Sequence, residues 1–180
     1  MKPALTLDAP AAWPLDETAL QPLADRAVEA ALAIGLDGVD IADPAPDGDE
    51  PGLSIAFLDD GAQAQLNADF RDRAEPTNVL SWPAYPGADP EAVCAAAASE
   101  PGPLYWGDLA LAGETVVREA EAEGKTVPAH LSHLIIHGVL HLLGYDHIEE
   151  EQAEFMESLE RRAMEQLGYS DPYGDSTDAQ

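Results

Sequence analysis

The chain has 180 residues and carries 35 Asp+Glu against 8 Lys+Arg, a formal net charge of −27. Its length suits one ordinary domain, its 46% hydrophobic content excludes wholesale disorder, and its charge excludes a broad basic face that grips nucleic acid. No apolar run approaches the ~18–20 residues that span a bilayer. Met1 to Pro14 shows no secretory leader, and the single cysteine, Cys94, allows no internal disulfide, so a soluble, cytoplasmic protein is expected.

Ala4 to Leu7 alternates and reads as a short first strand. Leu20, Leu23, Ala24, Ala27, Ala31 and Ile34 recur at three- and four-residue steps, the pattern of a helix. Proline fits only the first turn without cost, so that helix is expected to start near Pro22 and to end at Gly35. Asp37 to Gly52 reads as an acidic loop. Leu53 to Leu58 (LSIAFL) is apolar enough to be buried on both faces of a sheet. A helix capped by Asp59 or Asp60 then runs to Phe70, followed by a core strand from Asn78 to Trp82 that Pro83 stops. Ala84 to Pro103, which holds Cys94 in an alanine run, is expected to be a long surface loop with at most one helical turn. Asp108 to Ala112 gives a fourth strand, and Thr115 to Glu123 a helix ended by Gly124.

The last third is the most regular. Thr126 caps a helix with Pro128 in its first turn, running to Leu143 and stopped by Gly144. Asp146 and Glu149 have the spacing of a capping box for a final helix that puts Met156, Leu159, Ala163 and Leu167 on one face and ends at Gly168. Tyr169 to Gln180 is a polar, acidic tail expected to fray. Neither a repeat nor a linker breaks this order. Residues 1–180 therefore read as one α+β layer domain, helices packed on a small sheet.

All five histidines fall between His130 and His147. His137 and His141 are four apart, one above the other on one helical face. Gly144 can take the positive φ that turns the chain back and brings His147 round as a third. Three neutral imidazoles leave an open fourth position on zinc, which marks a catalytic site; structural sites are closed by four protein ligands. One such histidine would be an ordinary half-buried helix residue; three at H-x3-H-x5-H about a helix-ending glycine are not. His130 and His133 lie one to two turns earlier, where a role in the core or behind the ligands suits them better than ligation.

Written out, His137-Gly-Val-Leu-His141-Leu-Leu-Gly144-Tyr-Asp-His147 matches the metzincin ligand frame H-E-x-x-H-x-x-G-x-x-H at every position but one. Gly138 stands where a peptidase keeps its glutamate base, and glycine takes no proton from water. The metal frame is kept; the peptidase machinery is not.

HGVLHLLGYDH, together with Gly107-Asp108-Leu-Ala-Leu, Leu66-Asn67-Ala-Asp-Phe-Arg71 and Pro76-Thr77-Asn78-Val-Leu-Ser81-Trp-Pro83, resembles the YbeY family of ribosomal RNA maturation endonucleases. The likeness runs from about Leu53 to Tyr173. It implies an α+β fold with a small, mostly parallel four-stranded sheet and a metal-binding helix followed by a glycine turn. It also implies one zinc ion per chain on His137, His141 and His147, and a functional arginine at Arg71. The activity implied is single-strand endoribonuclease cleavage in small-subunit (16S) ribosomal RNA maturation and late ribosome quality control. The implied partners are single-stranded rRNA and the small subunit or its proteins, with neither DNA nor a membrane.

Arg71, His137, His141 and His147 are then the expected catalytic residues. A guanidinium can stabilise bidentately the charge that builds on phosphoryl oxygens, although Arg71 could equally pair with Asp69 or Asp72 at the surface. Asp146 can orient a ligand imidazole or cap the last helix; Thr77, Asn78 and Ser81 can face substrate or satisfy a strand end. Two other functions fit the pattern: a metallopeptidase with a displaced base, and a ribosome assembly factor braced by its metal.

Overall fold

Four apolar strands and one long apolar helix set the architecture. The computed structural model describes residues 3–39, 52–71, 74–99 and 105–174, except the side chains of Arg71, Ala97 and Ala98. The strands are β1 (Ala4–Leu7), β2 (Gly52–Leu58), β3 (Val79–Pro83) and β4 (Tyr105–Ala112). They lie in the order β1-β2-β4-β3. The first two pairings are parallel, and β3 runs antiparallel to β4 at the sheet edge. The helices are α1 (Glu17–Gly35), α2 (Asp60–Arg71), α3 (Pro90–Ser99), α4 (Gly113–Ala122), α5 (Val127–Leu142) and α6 (Glu150–Gln166). This is the mostly parallel α+β sheet fold that the family likeness implies.

Leu53, Ile55 and Phe57 of β2 and Leu109 and Leu111 of β4 face one large core, shared with α1, α5 and α6. Leu58, Leu80 and Ala110 face a smaller one with Leu66 of α2. The central strands are thus covered on both sides, which is why they read as unbroken apolar runs. In α5, Leu131, Leu134, Ile135, Ile136, Val139, Leu140 and Leu142 are all buried, because the helix lies between the sheet and the outer helices. Each such side chain contributes roughly 1.5–3 kcal/mol. Thr126 Oγ1 accepts from Ala129 N at 3.3 Å, the N-cap expected.

Several boundaries differ from expectation. The first helix starts at Glu17, not near Pro22, capped by Asp16 Oδ1 on Ala19 N at 3.1 Å. Pro22 and Thr18, whose carbonyl loses its donor, are both exposed, so solvent can take the lost bond. The alanine run forms the full ten-residue α3 rather than a loop with one turn, with Val93 and Cys94 buried beneath it. Alanine is the strongest helix former, and two adjacent apolar side chains suffice to dock the helix. The last helix is capped at Glu149, where Gln152 Oε1 accepts from Glu149 N at 3.3 Å. Asp146 does not cap it, because its Oδ1 is taken by His147 N at 2.8 Å.

The C-terminal segment is tied down where fraying was expected: Lys125 Nζ donates to Pro172 O at 2.7 Å, and Tyr173 OH donates to Glu160. Residues 175–180, and 40–51 of the acidic loop, lie outside the described residues.

The fourth strand starts at Tyr105, three residues before Asp108, because Gly107 at φ +138° carries the chain through a close approach to β3. A Cβ there would lie 2.2 Å from the Trp82 carbonyl oxygen. Gly107→Ala is therefore expected to cost at least about 1–3 kcal/mol from backbone strain alone. A thermal melt should show a clearly lowered Tm; an unchanged Tm would contradict this packing.

Candidate metal centre

Helix α5 carries His137 and His141 one turn apart on one face, both half-buried. Just beyond it Gly144, at φ +91°, reverses the chain, and a Cβ there would lie 2.2 Å from Ala88 O. Only glycine meets both demands. The reversal brings exposed His147 back over the helix, and one ring nitrogen from each of His137, His141 and His147 lies within 4.8 Å of the others.

The protons on these rings follow from their partners. His141 Nδ1 lies 2.9 Å from Tyr145 O, which only accepts, so Nδ1 carries the proton and Nε2 a lone pair. His137 Nδ1 lies 2.8 Å from Glu160 Oε1, a carboxylate, with the same result. The two Nε2 atoms are 3.1 Å apart. Two lone pairs at that distance repel unless a cation sits against both. Burial first, then neighbouring His137, pushes His141 down from 6.5 to about 4, so its lone pair is available at neutral pH. Three converging imidazoles, two of them with their protons turned outward, fit zinc or a similar imidazole-binding metal.

Glu160 holds this arrangement. It lies on α6, only 1% exposed, and receives His137 Nδ1, His133 Nε2 at 2.6 Å and the Tyr173 hydroxyl. Burial alone would raise its carboxyl. The hydrogen bonds from His133, His137 and the Tyr173 hydroxyl outweigh burial and hold it down at about 2. Burial, with Glu160 beside it, pushes the Tyr173 phenol up. Neither Glu160 nor Tyr173 was singled out from sequence. A glutamate inside the apolar stripe of Met156, Leu159, Ala163 and Met164 was the available signal. His133 thus stands behind the ligands, and His130 is buried against Glu119 Oε2 at 3.0 Å.

Gly138 has a packing reason. A Cβ there would lie 2.8 Å from Leu109 Cδ2 and 3.4 Å from Ser81 Oγ. The helix approaches the sheet closely here, so a side chain at this position would have to displace Leu109, and glycine leaves the metzincin position without a base. Between α5 and β3 runs a groove of about 710 Å³, lined by the three histidines with Asn78, Ser81 and Tyr85 among others. Asn78 is committed elsewhere: its Nδ2 donates to Glu119 Oε2 at 3.0 Å and its Oδ1 accepts from Val79 N at 2.7 Å. Thr77 N donates to Gln63 Oε1 at 2.9 Å. Arg71 closes α2, but its side chain lies outside the described residues. Asp146 accepts from the amide of His147 and, among the described residues, makes no hydrogen bond to a ligand ring or to the helix cap.

Residues 17–168 match the family described as endoribonuclease YbeY. A protein of Ruegeria pomeroyi named endoribonuclease YbeY is 47% identical over 179 residues, covering 94% of this chain and 96% of its own length. One of Sinorhizobium fredii with the same name is 44% identical over 163 residues, covering 91% and 87%. A solution structure from Thermotoga maritima shares the fold, with a TM-score of 0.53 over 99% of each chain at 18% identity.

Two outcomes are expected from this geometry. Glu160→Gln keeps the shape but removes the charge that fixes His137, so zinc affinity measured by chelator competition should fall roughly 10–100-fold; unchanged affinity would contradict that role. Unfolded His141 protonates near 6.5 and folded His141 near 4, so between these values the unfolded chain binds more protons and stability falls as pH drops. In metal-free protein, Tm between pH 7 and pH 4 should therefore fall more steeply for wild type than for His141→Ala.

Proposed function

The chain belongs to the YbeY endoribonuclease family, and from that premise we propose that it is a metal-dependent, single-strand-specific endoribonuclease. Its substrate in this reading is small-subunit (16S) ribosomal RNA, cleaved in maturation and in late ribosome quality control, with one zinc ion per chain. The convergence of one ring nitrogen from each of three histidines within 4.8 Å carries the reading. A metal held there supplies Lewis-acid polarisation of a phosphoryl oxygen and lowers the pKa of water toward ~7.

The chain's own residues do the rest. Glu160 and the Tyr145 carbonyl fix two rings in the tautomer that presents Nε2. Gly138 leaves no base on the helix, which favours phosphodiester cleavage over peptide hydrolysis. A cation is still wanted for the charge that builds on the phosphoryl oxygens. Among the described residues every candidate is committed. Arg26 donates to Leu167 O, Arg118 to Thr115, Lys125 pairs with Glu123, Arg161 with Glu157 and Arg162 with Asp37. The side chains of Lys2, Arg71 and Arg73 lie outside the described residues, and of these the family likeness favours Arg71. Its helix is clamped to the segment that enters the groove wall, through Asn67 Nδ2 on Glu75 O at 2.7 Å and Gln63 on Thr77.

Residues 1–180 act in this reading as a single hydrolase domain ending in an acidic tail. The −27 charge supports weak binding to free RNA and delivery by the small subunit or its proteins in the cytoplasm. No helix among the described residues is long and apolar enough to cross a membrane.

The test is cleavage of single-stranded RNA, duplex RNA and casein by zinc-loaded wild type, His141→Ala and Arg71→Glu. Wild type should cut only the single strand. His141→Ala should lose activity, and Arg71→Glu should fall about 10²–10³-fold. Zinc-loaded wild type that leaves RNA intact would contradict the proposal.

A further inference from the structure

The groove wall facing the histidines is the free edge of the sheet. β3 is the last strand in the order and is bonded to β4 on one side only. Ala112 N donates to Asn78 O at 3.1 Å and Ala84 N to Trp106 O at 2.9 Å. Antiparallel pairing alternates, so residues 78, 80, 82 and 84 turn their main-chain groups to β4 and residues 79, 81 and 83 turn theirs outward. Pro83 has no N–H, and the Val79 N–H is taken by Asn78 Oδ1 at 2.7 Å. One outward amide is left, that of Ser81.

The Ser81 side chain shares the Val79 side of the strand and lines the groove with His137 and His141. Its Oγ would lie 3.4 Å from a Cβ added at Gly138, the residue that follows His137. Among the described residues neither its hydroxyl nor its amide has a hydrogen-bond partner. Asn78, by contrast, spends both side-chain atoms on the fold, and the Thr77 amide is taken by Gln63. Ser81 alone of the three offers a free amide beside a free hydroxyl among the described residues.

A peptide adding to this edge would need donors and acceptors in alternation, and the edge offers a single donor. An N–H and an O–H side by side on a half-buried strand instead match one tetrahedral anion, whose charge strengthens both bonds. We propose that the Ser81 N–H and Oγ–H form a seat for one phosphate of the RNA strand, next to His137 and His141. Such a seat binds an anion through an N–H and an O–H and needs no side-chain cation of its own. The inference rests on the endoribonuclease reading and names a binding point within it.

The test uses zinc-loaded full-length protein and a single-stranded RNA oligonucleotide carrying one Rp or Sp phosphorothioate at or beside the cleaved bond. Ser81→Ala should lower kcat/KM about 10–100-fold, the loss of one hydrogen bond to a charged group, with Tm and zinc content unchanged. Ser81→Thr, which keeps the hydroxyl, should recover most of that loss. One phosphorothioate diastereomer that slows wild type should slow Ser81→Ala no further. Wild-type kcat/KM and an unaltered phosphorothioate pattern in Ser81→Ala would overturn the seat alone. So would competition by an extended peptide that Ser81→Ala leaves unaffected. Wild type inert toward RNA would overturn the nuclease reading and the seat with it.

Discussion

Two imidazole nitrogens 3.1 Å apart, each with its proton on the far side of the ring, cannot rest against one another without a cation. Much of the surrounding structure enforces that confrontation. The Tyr145 carbonyl pins one ring and the Glu160 carboxylate the other. Tyr145 is in turn held by its hydroxyl on Gly35 O at 2.7 Å, so α1 fixes the chain reversal that also carries His147. Glu160 is fixed by α6 and by the C-terminal segment through Tyr173. Carboxylates or carbonyls behind metal-binding imidazoles set their tautomer and basicity, and here two elements distant in sequence provide them.

The same reasoning narrows the meaning of the −27 charge. After His147 the chain holds ten acids against Arg161 and Arg162, so much of the excess sits on α6 and the tail. The groove itself is lined by imidazoles, short polar side chains and Tyr85, with Asp89 and Asp146 as its acids. Whatever anion enters meets a few directed donors rather than a field. Recognition of that kind is local and weak at long range, which fits an enzyme brought to its substrate by an assembly rather than by diffusion to bare RNA.

The histidine triad was legible because a four-residue step, a helix-ending glycine and a further histidine are local signals. So were the strand cores, whose apolar runs need no partner to be recognised. Exposure is not legible in the pattern, so Pro22 suggests a start near it although the helix passes through it at the surface. Helix α3 was hidden because an alanine run has little periodicity, and two adjacent buried side chains anchor it. Glu160 was invisible for a different reason. A glutamate on a surface helix looks solvated until the histidines across the interface are known, and they lie 23 and 27 residues away. Ser81 likewise differs from Asn78 only through hydrogen bonds that sequence spacing does not report.

The central claim is that His137, His141 and His147 together hold one metal ion. X-ray absorption at the zinc edge of the zinc-loaded protein tests it most directly. The expected first shell is three imidazole nitrogens at about 2.0–2.1 Å and one further light atom, with one imidazole lost in His147→Ala. A sulfur at about 2.3 Å, an all-oxygen shell, or a spectrum unchanged by His147→Ala would contradict it.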